Sequence, residues 1–445
     1  MRVQGAARQG WDGGGVAATI VLVSIVVASI ALMLAKPRGI AEVWWVSAGA
    51  VALVALRLIP ARLAVHAVGE GLDVYLFLIG MMLISALADR EGVFDWVAAR
   101  AVAGAGDRAS GRVSGVRLFT LIYLAGIAVT ALMSNDATVV VLTPAVLTAV
   151  RRARVKPLPY LYACAMIANA ASFVLPISNP ANLVVFRGRM PTLGHWMVAF
   201  GLAALLGISA TYVALRLIFR RELKEWGVAE SAAEIVPRLS ANGRLVLAGL
   251  AAMIAALLVA SARGIDLGLP TCGLAVGITA LVSVKQRRSP VDLLLHVSWK
   301  TLGLVAALFV LVDAVVRVGA LRWAVALLTR AEAMPAAAGA LAVSFAIGLG
   351  NNLVNNLPLG LIVGAAAQAA HLRTLMSASV MLGIDMGSNL SVTGSLATIL
   401  WLIALRREGL EVSARQYLKV GVWVMPAGMA AAVAGLMLMR AFGAL

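Results

Sequence analysis

Apolar residues in this chain come in long blocks, not at the spacing of a soluble helix or strand. Fourteen blocks stand out, at about 16–35, 43–56, 72–88, 118–134, 137–150, 158–186, 195–215, 245–262, 268–284, 301–316, 334–350, 353–372, 374–405 and 420–439. Short polar segments separate them. Blocks of this kind predict helices in a bilayer, so the chain reads as an all-α polytopic membrane protein. They fall seven and seven about the polar segment 216–244. An odd number per half makes the second half enter the bilayer in the opposite sense to the first, the inverted repeat of secondary transporters. The expected organisation is a first repeat over 1–215, a cytoplasmic connector over 216–244 and a second repeat over 245–445.

The halves share smaller features. Residues 80–99 match 307–326 in pattern, and each stretch is followed by an Asn-containing turn, Ser134-Asn135-Asp136 or Asn351-Asn352-Leu353-Val354-Asn355-Asn356. A proline comes after each turn, Pro144 and Pro358. The arm 137–150 has 14 residues, about 21 Å as a helix against a hydrocarbon core of about 30 Å. The pattern therefore predicts re-entrant hairpins over 118–150, dipping in from the cytoplasm, and 334–372, from outside, beside about ten spanning helices. Twelve or more full spans are the alternative, because the longer arms could cross. Turn backbone at that depth must line a cavity or be buried in protein, so the hairpin tips mark a cavity.

Two further blocks are broken in the middle. In 158–186 the breakers are Pro176 and Pro180, beside Asn169, Ser172, Ser178, Asn179 and Asn182. In 374–405 they are Gly387 and Gly394, beside Asp385, Ser388, Asn389, Ser391, Thr393 and Ser395. Aligning Ile177 with Val392 pairs Ser178 with Thr393 and Phe186 with Trp401. Matched interrupted segments point to a midplane binding site. The candidate substrate-binding residues are Ser134, Asn135, Asn169, Ser172, Ser178, Asn179, Asn182, Asn352, Asn355, Asn356, Asn389, Ser391, Thr393 and Ser395. Each could instead serve helix packing, but four such clusters in matched positions favour a site.

Three acids interrupt the apolar stretches away from their outer ends: Asp136, Asp313 and Asp385. A carboxyl group in low dielectric favours its neutral form and can exchange protons near neutrality, so all three are candidates for proton coupling. Arg317 follows Asp313 by four residues, and an ordinary helix-face ion pair is an equal reading there. No Lys, Arg or His flanks the breaks. A citrate, phosphate or sulfate site would be expected to use Arg or Lys, or bound cations with helix N-termini. A neutral polyhydroxyl compound or a cation fits better.

Composition agrees with the pattern. The 445 residues are 62% apolar and 13% charged, with a mean hydropathy of +0.96. A net charge of +17 raises nucleic acid as a partner, but the basic residues are scattered through inter-helical loops. Assigning alternate loops to opposite sides puts 25 of the 37 Lys and Arg on one side. That side is cytoplasmic and both termini lie outside. Arg2 and Arg8 precede the first apolar block, which lacks a small-x-small cleavage site and reads as a retained helix. Cys164 and Cys272 are too few for a disulfide framework or a thiolate cluster and read as small core residues. His66, His195, His296 and His371 fall in loops or at helix ends and read as solvated. The Gly-rich 104–111 lacks the Gly-Lys-Ser/Thr ending of a phosphate-binding loop and reads as an amphipathic interfacial segment. No metal or cofactor site and no catalytic constellation is expected.

The stretches 134–144, 158–186, 351–361 and 389–413 closely resemble the ArsB-type arsenite efflux pumps of the ion transporter superfamily, and the similarity runs over most of the chain. The resemblance implies expulsion of arsenite and antimonite across a bacterial inner membrane, conferring arsenic resistance, either alone as a proton antiporter or with an ArsA-type ATPase as partner. Related dicarboxylate carriers hold sodium with Ser-Asn-Thr motifs at the tips and breaks. Here the tips read Ser134-Asn135-Asp136 and Asn355-Asn356-Leu357, which favours a proton-titrating Asp. A sodium/proton antiporter of the same superfamily, the membrane subunit of an ATP-driven pump and a channel are the alternatives.

Overall fold

The computed structural model describes residues 15–35, 37–107, 110–186, 190–228, 238–319 and 321–444. The expectations that rest on Arg2, Arg8 and much of the connector lie outside the described residues, as does the side chain of His296. The architecture is all-α, and nine helices among the described residues are long and apolar enough to cross a membrane. Shorter apolar helices accompany them. The protein is thus a multi-pass membrane protein.

Two compact units are present, 1–72 with 299–326 and 73–298 with 327–445. In the first, helices Val16–Ala35, Glu42–Ala55 and Trp299–Arg317 pack together, and Ala61–Glu70 lies on the last of them. Small residues let the first two approach: a Cβ at Gly49 would strike Ser29, whose hydroxyl donates to the Ile25 carbonyl at 2.7 Å. Close backbone approach of this kind replaces the hydrophobic drive that lipid removes.

The second unit contains a long antiparallel pair, Leu193–Ile218 and Ala414–Ala441. Gly207 sits against Ala432, Gly428 against Thr211 and Gly435 against Ala203. Leu158–Ala170 and Thr374–Met386 are buried along almost their whole length, as expected of helices that are apolar all round.

Each of these buried helices runs beside the first arm of a hairpin. Gly115–Leu132 lies parallel to Leu158–Ala170, with Gly126 under Ile167. Ala336–Val354 runs along Thr374–Met386, with Ile347 over Gly383 and the backbones of Gly348 and Gly387 in contact. The short helices beyond the breaks pack in exchange. Pro180–Phe186 lies on the second arm of the second hairpin, Asn356–Ala369, where Gln368 donates to the Phe186 carbonyl at 3.1 Å. Leu396–Arg407 lies on the second arm of the first hairpin, where Arg151 donates to the Glu408 carbonyl at 2.8 Å.

Several local expectations are corrected. Ala61–Glu70, Val93–Ala105 and Arg322–Glu332, read as loops, are helices; their polar faces dilute the apolar signal that marks a span. Asn351 and Asn352 end the first arm instead of forming the turn, which is at Asn355. The 104–111 segment is not an amphipathic stretch: Gly106–Asp107 pairs with Arg112–Ser114, which pairs with Trp226–Val228 of the connector. Gly111, at φ 62°, supplies the left-handed turn residue, and Arg108 and Ala109 lie outside the described residues. This small sheet clasps the base of the first hairpin. Val228 N–H donates to the Ala153 carbonyl at 3.0 Å, Lys156 pairs with Glu225 at 2.5 Å, and the Arg112 guanidinium stands 5.0 Å over the Trp226 ring.

Candidate functional site

Both interrupted helices follow one backbone plan. The first ends at Ala170, makes a 3-10 turn over Pro176–Ser178 and restarts at Pro180. The second ends at Met386, turns over Gly387–Asn389 and Val392–Gly394 and restarts at Leu396. Extended residues flank the matching turns, Leu175 and Asn179 in one and Ser391 and Ser395 in the other. Asn179 Oδ1 accepts from Ala181 N–H at 3.0 Å, and Ser395 Oγ accepts from Thr398 N–H at 3.1 Å. Both are N-caps. The caps therefore match Asn179 with Ser395 and Ile177 with Thr393, one residue away from the alignment that side-chain similarity suggests.

The tips are also capped alike. Ser134 Oγ accepts from Ala137 N–H at 3.2 Å, and Asn355 Oδ1 accepts from Leu357 N–H at 3.4 Å. Beyond them the two prolines act differently. Pro358 sits in the first turn of its helix, where the missing N–H costs nothing. Pro144 follows a continuous helical path begun at Asn135, and the chain widens into a π turn over Thr138–Leu142, as its ring requires. Thr143 Oγ1 donates to the Thr138 carbonyl at 3.0 Å.

Asn amides satisfy the carbonyls that the breaks release. Asn182 Nδ2 donates to Ser172, Leu175 and Pro176 at 3.0, 3.3 and 3.3 Å. Asn351 Nδ2 donates to Gly383 and Ile384 at 3.0 and 2.5 Å. Asn352 Nδ2 donates to Gly348 and Gly387 at 2.7 and 3.1 Å, and its Oδ1 accepts from Ser391 at 2.6 Å. Thr393 Oγ1 donates to the Asn352 carbonyl at 2.8 Å, and Asn355 Nδ2 donates to the Thr393 carbonyl at 3.2 Å. Ser178 joins the first break to the first hairpin by donating to the Ala131 carbonyl at 3.0 Å.

Several bonds join the breaks to each other. Asn169 Nδ2 donates to Asn389 Oδ1 at 3.0 Å, and Asn179 Nδ2 donates to Asp385 Oδ1 at 2.7 Å. Ser395 Oγ donates to Asn169 Oδ1 at 3.2 Å, and Ser172 Oγ donates to the Asn169 carbonyl at 2.7 Å. The hydrogen bonds thus connect most of the residues singled out from the sequence. Asn351 and Thr398 belong to the same network and were missed. The signal for Asn351 was its place at the head of the Asn cluster 351–356.

Five buried oxygens here have no hydrogen-bond donor: Asn135 Oδ1, Asn182 Oδ1, Asn351 Oδ1, Asn356 Oδ1 and Asp385 Oδ2. The amide nitrogens of Asn182 and Asn351 are committed to carbonyls, so their free atoms are acceptors. Asp385 is 1% exposed, whereas Asp136 is half-buried. Asp313 belongs to the other unit and pairs with Arg317 at 2.6 Å, the ion-pair reading of that residue.

A family model described as CitMHS, citrate transporter, matches residues 16–386. An arsenical pump membrane protein of Escherichia coli is 28% identical over 421 residues, 90% of this chain and 94% of its own. One of Yersinia enterocolitica is 27% identical over 426 residues, with the same coverage. These similarities span the chain, as the motif resemblance to arsenite pumps led one to expect. A solved structure of the Alcanivorax borkumensis YdaH transporter covers 96% of this chain and 98% of its own, with a TM-score of 0.51 and 13% identity, a likeness of fold. The greater part of the chain being matched, the protein belongs to the CitMHS family of membrane transporters.

Proposed function

We propose that the protein is a secondary active efflux pump for trivalent metalloid hydroxides, As(OH)3 and Sb(OH)3, working by proton antiport in a bacterial inner membrane. The observation that carries this reading is the set of five buried oxygens without a donor in a region with no Lys, Arg or His. Burying unpaired acceptors is costly, and a ligand that brings hydroxyl donors relieves the cost. Arsenite at neutral pH is a neutral triol. Citrate is a polyanion whose carboxylates need donors or cations, so the residues fit the arsenical relatives better than the family description.

Two inverted repeats, over 1–215 and 245–445, are supported by the matched caps, the matched tips and the exchange of the short helices between hairpins. In this reading the hairpin-bearing part alternates in exposure, the tips and breaks bind substrate, and Asp136 or Asp385 carries the proton. With one proton per neutral substrate, about 100 mV supplies about 2.3 kcal/mol, a gradient of about 50-fold, without ATP.

The test is uptake of arsenite into inverted membrane vesicles with an imposed proton gradient and no ATP. Uptake abolished by collapsing the gradient, and unaffected by excess citrate, is the expected result. Uptake that ignores the gradient would point to a channel, and sodium-dependent proton movement without arsenite would point to a sodium/proton antiporter.

A further inference from the structure

The two acids of this region are held differently. Asp136 is partly exposed amid buried neighbours, whereas each oxygen of Asp385 has a distinct environment. Oδ1 accepts from Asn179 Nδ2 at 2.7 Å. Asn179 is itself fixed, because its Oδ1 caps the Pro180–Phe186 helix by accepting from Ala181 N–H, and turning the amide would break that cap. Ser172 lies within reach of the carboxyl group, and in this conformation its hydroxyl donates to the Asn169 carbonyl. Oδ2 is buried and has no donor.

Among the described residues, the central parts of the helices packed against the one that bears Asp385 carry no charged side chain. Of the helices packed against Thr374–Met386, Ala336–Val354, Asn356–Ala369 and Pro180–Phe186 carry no ionisable side chain. Leu158–Ala170 brings Tyr160, Tyr162 and Cys164. Leu193–Ile218 has His195 in its first turn, Tyr212, and Arg216 in its last. Ala414–Ala441 has Arg415, Tyr417 and Lys419 near its start and Arg440 in its last turn. The central parts of both long helices are uncharged.

We propose that Oδ2 of Asp385 is the single exchange atom of the pump, holding either a proton or a substrate hydroxyl, and that Asn179 is the positioning residue that enforces this choice by occupying Oδ1. The proposal rests on the efflux reading above. An ionised carboxylate accepts a charge-assisted hydrogen bond from a metalloid hydroxyl; a proton on Oδ2 turns the same atom into a neutral donor and removes that bond. On the outside, the carboxylate takes a proton from water-borne hydronium as substrate leaves. On the inside, the carboxyl O–H breaks, its proton passes to water, and the substrate binds with all three of its own hydroxyl protons. One proton therefore moves in for each metalloid moved out. Freeing Oδ1 would let one oxygen hold a proton while the other holds substrate, and the two would travel together.

The experiment is paired measurement of labelled arsenite flux and proton flux with the full chain in proteoliposomes. Wild type gives one proton per arsenite. Asn179→Ala gives a ratio well below one whatever its residual rate, and so does Asn179→Ser, which keeps a helix-capping hydroxyl but lacks an amide to reach Asp385. Asp385→Asn gives arsenite flux that no longer responds to the pH gradient. An Asn179→Ser ratio of one, with arsenite still moving, would reduce Asn179 to a helix cap and overturn the assignment alone, as would a gradient response retained by Asp385→Asn. Wild type that moves no arsenite would overturn the efflux reading and this assignment with it.

Discussion

The two breaks share their caps but not their support. The first is held mainly from within: Asn182, two residues into the restarted helix, gathers three carbonyls of the same break, Pro176 and Pro180 fix its backbone, and Ser178 adds one bond to the first hairpin arm. The second has glycines for breakers; Ser388 bonds to the Ile384 and Gly394 carbonyls from within, and most of the remaining donors come from Asn351, Asn352 and Asn355 of the adjacent hairpin. Burial follows the same division, for 176–180 is buried, whereas Ser391 and Val392 are partly exposed and Thr393 is exposed. Where the donors come from decides what moves together. A break that supplies most of its own donors can stay rigid while its surroundings shift, but one that takes most of its donors from a hairpin is tied more firmly to that hairpin. Asn355 sharpens the contrast, since its φ of 75° and ψ of 151° fall where only glycine is comfortable.

The largest effect that could break this comparison concerns how each first arm meets its buried helix. A Cβ at Gly387 would enter the backbone of Gly348, whereas one at Gly126 would meet the movable side chain of Ile167. Gly387→Ala is expected to cost about 3 kcal/mol and Gly126→Ala about 1 kcal/mol, read as the difference in unfolding free energy in detergent. Equal losses would mean that the halves are packed alike.

Next comes the source of the donors. Asn182→Ala should lose about 2–3 kcal/mol by stranding buried carbonyls, and Asn352→Ala about 1 kcal/mol because its surroundings are partly open. Arsenite transport should respond in the opposite sense, with Asn352→Ala keeping its fold and losing flux. Thermal unfolding and vesicle uptake on the same preparations check both, and a more stable Asn182→Ala would refute self-support of the first break.

A smaller effect separates strain from bonding at the second tip. Asn355→Ala loses its bond to Thr393 and keeps the unfavourable backbone, for about 2 kcal/mol. Asn355→Gly loses the bond but relieves the backbone, and should stay within about 1 kcal/mol of wild type. If the two variants unfold alike, the backbone conformation carries no strain.

The smallest effect belongs to the clasp at the base of the first hairpin. The hydrogen bond and charge of Glu225 raise Lys156 above its ordinary 10.5. A raised amine pKa stabilises the folded state at pH values below 10.5, and this contribution fades as pH climbs through the folded value. The melting-temperature gap between wild type and Glu225→Gln should therefore be small at about pH 8 and smaller still at about pH 11. A gap that widens over this range would reverse the sign.

Much of the site was legible in residue order. Pro176, Pro180, Gly387 and Gly394 cannot sit unnoticed in apolar helices, and Ser134-Asn135-Asp136 interrupts an uncharged stretch. Less legible were the short amphipathic helices, whose polar faces hide them among loops. Side-chain similarity pairs Ile177 with Val392, whereas the caps at Asn179 and Ser395 pair the breaks one residue further along.

Apolar block length, the absence of cations at the breaks and the placement of Pro, Gly and Asn are local properties, and they were enough to define a multi-pass transporter with two interrupted helices. Which Asn closes which carbonyl, the pairing of Asn179 with Asp385 and the removal of Asp313 into an ion pair with Arg317 depend on segments more than 200 residues apart, or on which of two partners a side chain reaches. Such bonds form only once the helices are packed. In a membrane the packing is steered by small residues and hydrogen-bond geometry, and these carry no periodic signal along the chain.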